Sequence, residues 1–213
     1  MKMMKPREPG SIDAVVFDVG GVLIDWDPRH LYRKIFPDAD RMERFLSQVC
    51  TPAWHAQHDL GVPFGSSIPS LVAKHPEWAD EIRAWADRFE EMWNGPVPGS
   101  VEVFAALRAS DKRVPIYAAT NWGSDQWKLA TRLFPFLGWF YGELVSADVG
   151  LLKPDPRFFE LLVRRFHLTP SSTLYVDDNA ENVKQARKTG FAVHHFAGAE
   201  ELTHCLEQLA LIP

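Results

Sequence analysis

Ala14-Val15-Val16-Phe17-Asp18-Val19-Gly20-Gly21-Val22-Leu23 is the stretch whose reading decides the architecture. It opens with four consecutive apolar residues that stop at a carboxylate. A strand with one face in water alternates apolar and polar side chains. A short run without alternation reads instead as a strand buried on both faces, as in a parallel sheet covered by helices. Similar runs recur at Val114-Pro115-Ile116-Tyr117-Ala118-Ala119, Thr173-Leu174-Tyr175-Val176 and Phe191-Ala192-Val193, with a weaker one at Glu143-Leu144-Val145-Ser146. Helical patterns fill the gaps at about 100–109, 124–134, 156–166, 180–188 and 199–210. Strand and helix alternate, which predicts an α/β fold around a parallel sheet.

From residue 27 to 95 no strand-like run occurs. Asp27-Pro28 reads as an N-cap followed by a first-turn proline. Trp78, Ile82, Trp85, Phe89 and Met92 are spaced by four, three, four and three, the apolar stripe of one amphipathic helix. Asn94-Gly95-Pro96-Val97-Pro98-Gly99 then breaks the chain. The pattern predicts a helical module over 27–95, inserted after the first strand of a core made from 12–26 and 96–213.

Composition narrows the function classes. The 213 residues are 46% apolar and 24% charged, with a net charge of −5. That mild acidity is unlike the basic footprint of a nucleic-acid binder. Cys50 and Cys205 stand far apart with no metal-ligand spacing, which predicts a reducing compartment without disulfides. The first ten residues carry positive charge with no apolar run behind it, and no stretch approaches the ~20 apolar residues of a membrane span. The expectation is a cytoplasmic protein, monomer or homodimer, acting on a small molecule, with neither nucleic acid nor membrane as partner. A Gly-x-Ser-x-Gly elbow and a P-loop are both missing.

Four segments fall at or after the C-terminal ends of expected strands, where open parallel sheets place their ligands. They are Asp18-Val19-Gly20-Gly21, Thr120-Asn121-Trp122, the loop Lys153-Pro154-Asp155-Pro156 and Asp177-Asp178-Asn179. Asp18, Asp177 and Asp178 cannot all stay ionised at close range without a cation. A hard, oxygen-seeking ion such as Mg²⁺ answers that need. Lys153 adds positive charge for a phosphoryl group or for orienting Asp18. The Thr120 hydroxyl and the Asn121 amide can donate to phosphoryl oxygens. Asp18 is then placed to attack phosphorus and form an aspartyl phosphate that water cleaves.

These segments resemble the four ordered motifs of the haloacid dehalogenase superfamily: Phe17-Asp18-Val19-Gly20-Gly21-Val22-Leu23, Thr120-Asn121, Gly150-Leu151-Leu152-Lys153-Pro154-Asp155-Pro156 and Val176-Asp177-Asp178-Asn179. The resemblance spans about residues 12 to 195 and is nearest to small bacterial sugar-phosphatase-like members. It implies a Rossmann-like core with a helical cap, and Mg²⁺ held by Asp18, the Gly20 carbonyl and Asp178, with Asp177 supporting that metal site. It further implies hydrolysis of a small phosphorylated metabolite, sugar phosphates among the candidates. Phosphatases of the superfamily usually carry a second aspartate, the general acid, where this chain has Gly20. Asp25 or a cap histidine is the expected substitute. The cap cluster Trp54, His55, His58 and Asp59 resembles a loop that faces the active site in related caps, which makes Trp54 and His55 candidate substrate contacts. Two alternatives stay open: 2-haloacid dehalogenation, which needs no acid, and a catalytically weak phosphate-binding relative.

Overall fold

A computed structural model describes residues 11–213. The chain begins with β1 (Ala14–Phe17) and, after a tight turn, β2 (Ile24–Trp26). Five helices follow: α1 (Pro28–Tyr32), α2 (Ala39–Gln48), α3 (Pro52–Asp59), α4 (Phe64–Lys74) and α5 (Ala79–Asp87). β3 (Trp93–Pro96) comes back antiparallel to β2. Thereafter helix and strand alternate through α6 (Ser100–Ala109), β4 (Ile116–Thr120), α7 (Ser124–Leu133), β5 (Gly142–Val145), α8 (Ser146–Val149) and α9 (Pro156–Phe166). The last elements are β6 (Thr173–Asp177), α10 (Ala180–Thr189), β7 (Ala192–His195) and α11 (Ala199–Gln208).

The five strands of the main sheet lie in the order β5-β4-β1-β6-β7, every pair parallel. The unbroken apolar run of β1 has a direct cause. Val15 and Phe17 join Ala118 and Val176 in one buried cluster, whereas Ala14 and Val16 join Ala119 and Tyr175 in a second cluster on the other face. Both faces are dry, so period-two alternation of polarity disappears. The core is thus a doubly covered α/β sheet.

Helices α1–α5 form a lobe on the β2–β3 ribbon. Its interior is aromatic: Tyr32 packs on Phe45 and Trp85, and Phe45 on Trp78, at centroid separations of 4.9, 5.8 and 5.5 Å. Such pairs are worth about 0.5–1.5 kcal/mol beyond the area they bury. Asp27 caps α1 through Arg29 N, with Pro28 in the first turn, as the sequence pattern predicts. The apolar stripe from Trp78 to Met92 is not one helix. Arg88 leaves the helical region (φ −133°, ψ 29°), and Trp78 and Phe89–Met92 lie in flanking 3₁₀ turns. A 3₁₀ turn keeps i and i+3 on one side, so Ile82, Trp85, Phe89 and Met92 are all still buried. The ribbon also escapes a periodicity reading, because Ile-Asp-Trp and Trp-Asn-Gly-Pro are too short and mixed to show a period.

Candidate active site

Strand register brings the chemistry together. Phe17 pairs with Ala118 on one side and Val176 on the other, so Asp18, Thr120 and Asp177 emerge along one sheet edge. Asp18 N donates to Val176 O at 2.8 Å, which pins the nucleophile candidate to the end of β6. Its Oδ1 accepts from Val19 N at 2.6 Å, and Lys153 Nζ stands 2.8 Å from its Oδ2. The same ammonium is 2.8 Å from Asp177 Oδ2. Asp177 is fully buried and both its oxygens are taken: Tyr175 OH, Asn179 N and Asn182 Nδ2 donate to it as well as Lys153. Of the three carboxylates it is the one committed to holding the lysine.

The electrostatics follow from burial. Lys153 is held above the ordinary lysine range: burial pulls it down, and the charges of Asp177 and Asp18 outweigh that. Asp177 is held low, because the Lys153 ammonium more than offsets burial. Asp18 is pushed up, first by burial and then by Asp177 and Asp178, against the pull of Lys153. Asp178 is pushed up by burial and by Asp177. One ammonium therefore serves three carboxylates whose oxygens lie within 4.8 Å of one another. Unpaired charge in such a place is costly, and among the described residues Asp178 makes no ion pair.

Two glycines shape the floor. Gly21 has φ +72°, and a Cβ there would stand 2.7 Å from Cγ of Asp178, so only glycine leaves the carboxylate its place. A Cβ on Gly20 would meet the Trp122 indole nitrogen at 3.3 Å.

Thr120 and Asn121 take different parts. The Thr120 hydroxyl is buried, borders the cleft and has no hydrogen-bond partner among the described residues. The Asn121 amide instead clasps the Lys153 main chain, accepting from its N at 2.8 Å and donating to its O at 2.9 Å. Asn121 also borders the cleft, so it fixes the lysine loop at the wall where the sequence suggested a substrate contact.

The cleft has a volume of about 430 Å³. Asp18, Thr120, Lys153 and Asp178 border it from the sheet, and Trp26, His55 and Asp59 from the lobe. Trp54, expected to contact substrate, does not line it. It packs edge-on against Trp85 at 5.3 Å and His58 at 4.7 Å, because its place on α3 turns it into the lobe's core. His58 does border the cleft, but both its ring nitrogens are engaged, with Val62 O and Ser67 Oγ. Asp25 is bonded to His30 and Asn94 and lies outside the residues bordering the cleft. Sequence reading gave no role to Ser146, Asn182 or Tyr175, whose contribution is visible only once the sheet brings them to Asp59, Trp122 and Asp177.

Residues 12–190 match the haloacid dehalogenase-like hydrolase family. The chain is 24% identical to the sesquiterpene phosphatase astK of Aspergillus oryzae, over 95% of this chain and 97% of that one. It is 23% identical to the D-ribitol-5-phosphate phosphatase of Bacteroides thetaiotaomicron, over 84% of this chain and 89% of that one. Among solved structures it resembles a Bacteroides thetaiotaomicron family enzyme complexed with magnesium and inorganic phosphate. The TM-score is 0.69 at 18% identity, over 92% of this chain and 99% of that one.

Proposed function

The chain belongs to the haloacid dehalogenase-like hydrolases, and from that premise we propose that it hydrolyses a small phosphate monoester, with Asp18 as nucleophile. The observation that carries this reading is the buried carboxylate cluster around Lys153. Without a further cation it would repel any anionic substrate. With one, it becomes a receptor for a phosphoryl group.

Mg²⁺ fits the residues present. The donors are hard oxygens, and the bare Gly21 position leaves Asp178 a seat beside Asp18. Asp18, Asp178 and the Gly20 carbonyl would hold the ion, and Asp177 would support them through Lys153. When bound, the ion would offset negative charge on the carboxylates and on the phosphoryl oxygens. Asp18 then attacks phosphorus from the sheet edge, and its bond to phosphorus forms as the ester oxygen departs. Lys153 holds the carboxylate in place and balances charge. The Thr120 hydroxyl, buried without a partner, donates to a phosphoryl oxygen. Water then releases phosphate from the aspartyl phosphate. Residues 27–95 serve as the cap over this edge, and sequence relatives that act as phosphatases over most of their length support the reading. The sugar or isoprenoid identity of those relatives' substrates does not pass to this chain.

A screen of sugar, nucleotide, acyl and aryl phosphates with Mg²⁺, beside a halide-release assay on 2-haloacids, tests the proposal. Phosphate release that EDTA abolishes and Mg²⁺ restores is the expected result. Halide release undiminished by EDTA, with no phosphate released, would hand the chain to the dehalogenases.

A further inference from the structure

A phosphatase with Gly20 lacks the family's usual proton donor, and even a Cβ at that position would stand a tight 3.3 Å from the Trp122 indole nitrogen. A proton source must then come from another wall of the cleft. We infer that Asp59, at the C-terminal end of α3, is the general acid that protonates the leaving oxygen. This rests on the phosphatase reading above.

Asp59 borders the cleft from the lobe, facing the sheet edge that carries Asp18. Its side chain is only 14% exposed, and no hydrogen bond engages its carboxylate among the described residues. Its main chain is anchored to the core: Ser146 Oγ donates to Asp59 O at 2.6 Å and accepts from Trp122 N at 3.0 Å. One hydroxyl thus ties the main chain of Trp122, beside Gly20, to that of Asp59.

The other proton carriers of the cleft fail by chemistry, His58 because its ring nitrogens are engaged by Val62 O and Ser67 Oγ. His55, with Nε2 3.7 Å from Asp59 Oδ1, is pulled down to about 3 by burial and by His58, so it is neutral where the enzyme works. Lys153 is shared between two carboxylates. Asp178 belongs to the metal set. Asp59 itself is pushed up to about 8, chiefly by burial, with Asp18 adding and Lys153 opposing. The charged groups that act on it are Asp18 and Lys153, and the His55 ring beside it is neutral. Burial, the largest cause, is untouched by neutralising Asp18.

The steps balance. As Asp18 bonds to phosphorus, the P–O bond breaks, and its electron pair on the leaving oxygen takes the Asp59 proton to give the alcohol. Water then attacks phosphorus and gives a proton back to Asp59, and Asp18 leaves as carboxylate with free phosphate.

The test compares wild type, Asp59→Asn and Asp18→Asn on dinitrophenyl, nitrophenyl, phenyl and alkyl phosphates, with pH profiles for the first and last. Asp59→Asn should lower kcat by about 10²–10⁴-fold on the alkyl ester. On the dinitrophenyl ester, whose leaving group needs no proton, the loss should stay under about tenfold. Wild type should lose alkyl-ester activity as pH rises through about 8, since the acid must be protonated. It should show no such limb with dinitrophenyl phosphate. That profile needs no variant and stands even where Asp59→Asn misfolds. An equal loss on all four esters, or the same alkaline limb for both, would overturn the acid role and leave the phosphatase reading intact. Failure of wild type to cleave any ester would remove both.

Discussion

Thr120 carries the sharpest single-atom expectation. Its hydroxyl is buried and unpartnered, an arrangement that costs stability and is explained if a phosphoryl oxygen completes it. Thr120→Val keeps the shape and removes only the hydroxyl. It should leave the denaturation midpoint unchanged or raise it, while kcat/KM falls on the order of 10–100-fold, the worth of one hydrogen bond to a charged group. A loss of stability with unchanged kinetics would show the hydroxyl to be structural. Asp18, Lys153, Asp177 and Asp178 were legible in the sequence because three carboxylates and a lysine fall at or after the ends of strands that a parallel sheet brings to one edge. The resemblance set Asp177 apart as a supporting residue, and only the coordinates show how it supports: it spends both oxygens on Lys153 and its neighbours. Trp54 and Asp25 misled for the same reason: spacing locates a residue on an element, and packing decides which way it turns.

Elements of the α/β core were read closely because their signals are local. β1 coincides with its apolar run, and α6 and α9 with their periodic segments. The β2–β3 ribbon and the break at Arg88 were missed, since both are set by contacts between distant segments. Between lobe and core, the Ser146 hydroxyl joins the end of α3 to the loop after β4 through Asp59 and Trp122. Ser146→Ala leaves a buried N–H and a buried carbonyl without that partner, a loss of about 1–3 kcal/mol. Urea unfolding should show a lower midpoint, and the alkyl-ester rate should fall more than the dinitrophenyl rate as Asp59 loses its anchor. Equal effects on both esters would separate the anchor from the acid.

Taken as one molecule, the protein sets a buried anionic cluster at the edge of a parallel sheet and places a helical lobe over it. No helix among the described residues is long and apolar enough to cross a membrane. On the proposed reading, the neutralising ion, the lysine and the lobe acid would all answer one demand, that an aspartate carry a phosphoryl group in a site already rich in carboxylates. The most direct test is chemical trapping of that covalent state. Enzyme quenched during turnover of nitrophenyl phosphate, reduced with borohydride and digested, should yield the peptide spanning Ala14–Leu23 with Asp18 converted to homoserine. The conversion should require substrate, and Asp18→Asn should show none. Full turnover with Asp18 unmodified, or a turning-over Asp18→Asn variant, would contradict the account.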